Sequence, residues 1–276
     1  YDLLKDRLTA EIEKQMGGNV SVNASSFRPY WFTGVKIKKL SIARDEAGIS
    51  KKLLDVDELK GRLALLPAVF GSYRGSFFIR VGKGEIEGSI AKVEEGFEID
   101  VDLDDVDLGA LPIFLAEYGM KLKSQIKGNV QLRFDQQNFV RSAGKANLDF
   151  SSLQMEPSEV MIAGQAMPLP ELVFAKGKNS RVNINIDKGV FSLDEFKFSG
   201  GDISADIKGK IFLASEFSNW RFNLIGTFSD SPKLSQSLPF LFLIEKQKQA
   251  SGSYPLAVTG RVSKPTIKIG EFTLPL

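Results

Sequence analysis

Two residue types are missing from the 276-residue chain: it contains no cysteine and no histidine. Without cysteine there is no disulfide framework and no thiolate metal site, although an oxidising compartment stays open to the chain. Without histidine the commonest general base and the commonest transition-metal ligand are gone. No Ser-His-Asp or Cys-His arrangement can be assembled. Net charge is nearly absent too, with 36 basic against 34 acidic residues for a balance of +2. Nothing therefore points to nucleic acid as a partner, while a weak contact with anionic lipid stays open. No apolar run reaches the roughly 18 residues that a helix needs to span a bilayer.

The chemistry-bearing motifs are equally scarce. No Walker-type phosphate loop occurs, and Gly82-Lys83-Gly84-Glu85 has the wrong spacing for one. No Ser-x-x-Lys sits where a helix would start, and a glycosidase-like carboxylate pair would need a cleft that sequence does not reveal. The reading is of a protein without catalytic residues, cofactor or resident metal. Asp100, Asp102, Asp104, Asp105 and Asp107 resemble a calcium cluster, but the EF-hand positions that need Gly and Glu hold Asp105 and Leu111. A solvated strand face followed by an Asp helix cap accounts for them better.

The chain is rich in phenylalanine, 21 residues against five Tyr and two Trp. Phe lacks a polar handle, so it goes to a core, a lipid-like ligand or a partner. The apolar residues also alternate. From Arg181 to Phe228, Val182, Ile184 and Ile186 interleave with Asn183, Asn185 and Asp187; Ile203, Ala205, Ile207, Ile211 and Leu213 interleave with Ser204, Asp206, Lys208 and Lys210; Trp220, Phe222, Leu224 and Phe228 form a third set. Period-2 spacing means strands with one wet and one apolar face. Lys188-Gly189 and Ser199-Gly200-Gly201-Asp202 mark tight turns, so this stretch predicts an antiparallel meander of about four strands.

The same reading extends along the chain. Tyr1 to Met16 has helical spacing, with Leu3, Leu4, Leu8 and Ile12 on one side, ended by Gly17-Gly18. It suits a helix capping the sheet or lying on lipid. Asn19 to Phe27 and Val35 to Ala43 predict strands, joined by a loop whose Tyr30-Trp31-Phe32 are expected to fold back and close the sheet end. Further strands are expected at Lys51 to Leu63, Ser76 to Val81, Gly84 to Lys92, Phe97 to Leu103, Lys121 to Asp135 and Gly144 to Ser151. Leu65 to Gly71, Leu108 to Tyr118 and Leu234 to Gln249 predict short apolar helices. Glu156 to Pro170, with three prolines, reads as an irregular hinge or boundary near 152–170. Tyr254 to Gly260 and Thr266 to Phe272 close the chain. The organisation is residues 1–18 as a helix and 19–276 as one continuous β-rich domain.

A unit recurs. Leu108-Gly-Ala-Leu-Pro-Ile-Phe-Leu leads to Ile126-Lys-Gly-Asn-Val-Gln-Leu, and Leu234-Ser-Gln-Ser-Leu-Pro-Phe-Leu-Phe leads to Val258-Thr-Gly-Arg-Val. Leu65-Leu66-Pro67 with a later Gly75 is a weaker third copy. Together with Phe198-Ser-Gly-Gly-Asp-Ile-Ser-Ala-Asp-Ile-Lys-Gly-Lys-Ile and the closing Leu256-Ala-Val-Thr-Gly-Arg-Val-Ser-Lys-Pro-Thr-Ile, these motifs resemble the AsmA-like envelope proteins. The best match within them is the type II secretion system protein N (GspN) family, over about Val20 to Leu276. The resemblance implies a mainly β protein, a long, strongly twisted antiparallel meander curled into a taco-like groove. It implies a periplasmic location in a Gram-negative bacterium, held to the inner membrane by a segment upstream of Tyr1, and it brings no catalytic residues.

Geometry agrees with a curled sheet, because a dozen or more one-sided strands have too few helices to cover them. Their apolar face must meet itself or a ligand. The candidate inner face is Phe134, Phe150, Val182, Ile184, Ile186, Phe191, Ile207, Ile211, Phe222, Leu224 and Phe228. Such a face suits two functions. In one, a filled sheet serves as a structural and interaction component of the type II secretion apparatus, docking other envelope proteins along its open edges. In the other, an open groove binds or bridges phospholipid or another acyl-chain lipid. A carbohydrate-binding β protein is the third reading, weakened by the lack of exposed Trp or Tyr beyond Tyr30 and Trp31.

Overall fold

The computed structural model describes residues 10, 20–46, 49–64, 73–94, 96–112, 115, 120–135, 138–162, 165–237 and 239–274. Strands take up 71% of the described residues. The first half contributes β1 (Val20–Asn23), β2 (Ser26–Tyr30), β3 (Gly34–Glu46), β4 (Ile49–Leu63), β5 (Arg74–Val81), β6 (Gly84–Val93), β7 (Gly96–Val106) and β8 (Leu122–Asp135). The second half contributes β9 (Ala143–Met155), β10 (Ser158–Ile162), β11 (Gln165–Leu169), β12 (Leu172–Asp187), β13 (Val190–Phe198), β14 (Ile203–Phe212), β15 (Arg221–Asp230), β16 (Tyr254–Arg261), β17 (Lys264–Ile269) and β18 (Phe272–Thr273).

All but β10 and β11 join one 16-stranded sheet. Every pairing is antiparallel between chain neighbours, with two exceptions: β9 pairs with β12 across the β10–β11 hairpin, and β1 and β2 both lie along β3. The sheet is open, since β18 pairs with β17 alone and does not return to β1 or β2. Tight turns reflect the local chemistry. Between β12 and β13, Lys188 and Gly189 both have positive φ, +47° and +75°, the type I′ geometry whose twist suits a two-residue hairpin.

Bulges keep the apolar residues on one side. Ile37 and Leu40 are three apart, as are Leu103 and Val106, and strict alternation would put each pair on opposite faces. A left-handed residue lies within each interval, Lys39 at φ +51° and Asp105 at φ +53°. Ile37 and Leu40 consequently share one buried cluster, and Val106, 3% exposed, pairs with Ile126 one register step beyond Leu103 and Gly128. At Asp105 the register against β8 shifts, a bulge that also bends the strand and raises its twist, whereas at Lys39 the register against β4 runs on unbroken from Gly34 to Ile42. Further register shifts fall in β8–β9, β12–β13 and β13–β14.

Burial is distributed over four clusters, each built from elements adjacent in the sheet. The clusters do not join strands from the two ends of the sheet. The accessible surface, 17075 Å², is well above the ~12,000 Å² expected of a compact 30.4 kDa chain.

Helix is scarcer than the sequence suggests. The stretch expected to form one helix from Leu234 to Gln249 is three short pieces: α1 (Pro232–Ser237) and 3-10 turns at Pro239–Leu243 and Glu245–Gln247. Pro239 supplies no N–H to a continuing ladder, and Ser231 instead caps the first piece, its Oγ accepting from Leu234 N at 3.2 Å. The helix expected at Leu108 to Tyr118 begins as a 3-10 turn, Leu108–Ala110, capped by the Asp107 carboxylate at 2.9 Å from Gly109 N; most of the remaining span lies outside the described residues. Leu65 to Gly71 lies wholly outside them, as does Tyr1 to Gly18 except for the exposed, helical Ala10. The expected hinge at Glu156 to Pro170 is a hairpin, β10 on β11, with Glu159 opposite Pro168. Proline is tolerated there because both strands are edges.

Two substitutions probe these contacts. Gly209 has φ +145°, and a Cβ on it would lie 2.2 Å from the Asn223 carbonyl oxygen. Gly209→Ala should therefore lower stability by about 1–3 kcal/mol in chemical denaturation. Glu58 accepts from Lys36 and Lys60 at 2.7 and 2.8 Å, and these bonds, Lys36 first, hold its pKa down from 4.5 to about 2. A lowered folded-state pKa stabilises above the unfolded value, and that stability is lost as pH falls from about 4.5 towards about 2. Glu58→Gln should flatten the acid limb of a stability–pH curve in that window and leave its neutral shape unchanged.

Candidate functional site

Directly opposed residues in an antiparallel ladder share a face, so the register traces rows across the sheet. One row runs Phe27, Ile37, Leu59, Ile79, Ile86, Leu103, Gly128, Leu148, Val182, Phe196, Ile207, Gly226, Leu256, Ile269 and Phe272, from β2 to β18. Every member is apolar or glycine. The next row is Pro29, Val35, Gly61, Phe77, Gly88, Val101, Val130, Ala146, Ile184, Leu193, Gly209, Leu224, Val258 and Ile267. A third starts at Leu63 and passes Gly75, Ile90, Ile99, Leu132, Gly144, Ile186, Phe191, Ile211, Phe222, Gly260 and Pro265.

The intervening row on the opposite face is polar throughout apart from its first residue: Gly34, Arg62, Ser76, Ser89, Asp100, Gln131, Lys145, Asn185, Ser192, Lys210, Asn223, Thr259 and Thr266. Other side chains of that face bond laterally, as where Asn147 Nδ2 donates to Asn129 Oδ1 at 3.0 Å and Asn183 Nδ2 to Glu195 Oε2 at 2.8 Å. With strands about 4.8 Å apart and a rise of about 3.4 Å per residue, the three apolar rows form a strip roughly 65 Å by 14 Å.

Most of this strip is half-buried, shielded by its own neighbours. Burial deepens towards one end of the strands, where Ile126, Phe150, Phe198 and Tyr254 lie, and is least in the Leu63 row, where Ile90 is 39% exposed. Among the described residues, helical turns cover the strip only locally. Ala110 and Leu111 pack on the β1–β5 cluster, Leu108 on the central cluster around Ile126 and Phe150, Leu234 on Met155 and Leu172 of β9 and β12, and Leu241 and Ile244 at the β15–β17 end. Tyr254 pins that last cover, its hydroxyl donating to Glu245 Oε2 at 2.9 Å and its ring stacked 5.1 Å from Phe228. Burial first, then the Glu245 bond, pushes the phenol pKa up.

The eleven residues expected on the inner face are distributed over the rows. Ile186, Phe191, Ile211 and Phe222 are consecutive members of the Leu63 row; Ile184 and Leu224 lie in the Pro29 row; Val182 and Ile207 lie in the Phe27 row. Phe150 sits deeper, edge-on to Phe198 at 5.2 Å. Phe228 joins the Tyr254 cluster. Phe134 lies opposite Phe97, beyond the Leu63 row. The sequence reading missed the contribution of β2 to β6, including Ile37, Leu59, Phe77 and Ile86, and the glycines that complete each row.

A depression of about 680 Å³ lies on the polar side, where Arg74, Arg133 and Lys145 face Glu98, Asp100 and Asp187. Its charges alternate and cancel, so it selects no ion. No group of three or more Asp or Glu is placed to hold a metal ion among the described residues, and no described helix is long and apolar enough to cross a membrane. Compared with known proteins, the chain matches no family model, no curated protein and no solved structure. The resemblance to the AsmA-like and GspN proteins accordingly rests on the motifs alone.

A half-buried apolar strip should bind an environment-sensitive dye in the native state. Anilinonaphthalene sulfonate fluorescence is expected to rise with the folded protein, and Ile90→Asp with Ile99→Asp should reduce that rise while the far-UV β signal persists.

Proposed function

We propose that the protein is a non-enzymatic lipid-binding module of the bacterial envelope, whose one-sided sheet bends into a taco-like groove and shelters acyl chains against its apolar face. The observation that carries this reading is the unbroken run of apolar and glycine residues from β2 to β18, left half-buried. Apolar surface kept from water is favourable by about 25 cal/mol per Å², so a strip of this size attracts an apolar occupant. Its width, about 14 Å across three rows, is close to one leaflet's share of a bilayer core, roughly 15 Å. Its continuity would let a chain slide along the row, because no polar side chain interrupts it. The carboxylates, amides and lysines of the opposite face keep the outside wet.

A second reading is supported by the open edges. β1 and β2 pair with β3 only, and the two-residue β18 leaves most of β17 unpaired on that side. Unpaired strand edges recruit extended segments of other chains, which suits a structural component of the type II secretion machine.

Native mass spectrometry of the chain purified without detergent separates the two. The acyl-lipid reading predicts adducts of phospholipid mass that diminish in Ile184→Asp and Leu224→Asp variants. A clean apo mass from well-folded protein, together with capture of secretion components that depends on the β17 edge, would overturn it in favour of the second reading.

A further inference from the structure

The aromatic turn between β2 and β3 does not close the sheet end. Trp31 is 69% exposed and Phe32 97%, which corrects the expectation that they fold back onto the core. The reason is local. Gly34 approaches its neighbours so closely that a Cβ would sit 2.4 Å from the Tyr30 carbonyl oxygen and 2.6 Å from that of Gly61. Trp31 takes φ +56°, a conformation that bulky residues rarely adopt. The turn thus carries its aromatic pair away from the sheet at a cost in backbone strain.

Two more large side chains stand exposed at the same strand ends, Leu63 and Tyr73. Hydrogen bonds tie the pieces together: Thr33 Oγ1 donates to Leu63 O at 2.6 Å, Leu63 N to Thr33 O at 3.3 Å and Ala64 N to Arg74 O at 2.8 Å. Between them lies a shallow, largely apolar hollow lined by Trp31, Phe32, Leu63, Arg62 and Arg74.

Basic residues predominate on β2 to β4 at this end. Arg28 lies opposite Lys36, Lys36 opposite Lys60, and Arg62 one residue before Leu63. The carboxylate on these strands, Glu58, is occupied by Lys36 and Lys60, and Glu87, Asp100 and Asp102 lie on β6 and β7, across the neighbouring hollow from Trp31 and Arg62. A chain that is nearly neutral as a whole therefore carries a local positive excess on β2 to β4, beside an exposed Trp-Phe tip. Trp and Tyr favour the membrane–water boundary, and basic side chains beside them meet lipid phosphates. A narrow protruding tip enters a fluid headgroup layer, whereas a protein interface needs a surrounding rim that excludes water.

We propose that this strand end docks on an anionic lipid surface, Trp31 and Phe32 entering the headgroup boundary and Arg28 and Arg62 meeting the phosphates. Leu63 opens the least buried apolar row, through Gly75 to Ile90, so docking sets that row beside the bilayer. The proposal stands independently of acyl chains occupying the strip.

The test uses the whole chain with vesicles of phosphatidylcholine alone or mixed with phosphatidylglycerol, read by co-sedimentation and tryptophan emission. Binding is expected only with phosphatidylglycerol, weakening as salt rises, with emission moving to shorter wavelength. The Trp31→Ser/Phe32→Ser variant should bind about tenfold or more weakly, and Arg28→Gln/Arg62→Gln should lose the preference for the anionic lipid. Both pairs are surface changes, and circular dichroism checks the fold. Trp220, whose Nε1 donates to Ala214 O at 2.9 Å, stays as an internal reporter, so Trp31→Phe should bind without the wavelength shift. Wild-type protein that ignores phosphatidylglycerol, or a Trp31→Ser/Phe32→Ser variant that binds as well as wild type, overturns the proposal. Ile99→Asp should leave vesicle binding intact, which separates this result from any failure of the acyl-chain reading.

Discussion

A β-sheet with one apolar face must place that face against something, and among the described residues most of it has no cover. The ordinary solutions are a second sheet or a layer of helices. Here the helical turns touch the face only in patches, Ala110 and Leu111 on one cluster, Leu108 and Leu234 on two others and Ile244 on the last. The middle strands shield themselves sideways, row by row, and stop at half-burial. Large surface, divided core and open edges are all consequences of that one-sidedness.

Maintaining the apolar rows over so many strands takes dedicated local devices. A single slip of register would turn a strand's apolar set outward. The left-handed Asp105 lies in the bulge that shifts β7 against β8, and the left-handed Lys39 turns β3 without shifting it against β4, so the side chains beyond both return to the same face. Glycines stand in the rows where the neighbouring backbone comes too close for a side chain, as at Gly209. On the opposite face, amides, carboxylates and lysines bond laterally to one another, which keeps it solvated and discourages stacking on another sheet.

These features connect to function through what the face excludes. A strip without a polar interruption offers no specific hydrogen bond, so it suits a chemically uniform occupant such as an acyl chain better than a sugar or peptide. The Trp31–Phe32 tip differs in kind: it combines aromatic rings with a positive margin at one strand end. The two features meet at Leu63, where the exposed tip and the least buried row are neighbours. The lipid-binding role proposed above calls for both a place to rest on a membrane and a track leading away from it.

Much of this was legible in residue order. Period-2 alternation identified β12 to β15 and their turns, because side-chain direction in a strand is set by the backbone alone. Lys188-Gly189 announced its turn through the residues that tolerate positive φ. Other elements were hidden by signals that compete. Prolines in Glu156 to Pro170 argued against strands, yet a two-stranded hairpin made of edges accommodates them. Apolar content argued for one helix after Leu234, yet Pro239 and the demand for cover at the β15–β17 end divide it into turns. Residue order alone determined that the chain makes strands with an oily and a wet side. Only the tertiary structure decided which residues from distant strands line up in a single row, since register depends on bulges and backbone approach that no periodicity encodes. It likewise decided that Trp31 and Phe32 face water, in a turn where Trp31 itself takes the left-handed φ of +56° that its size disfavours.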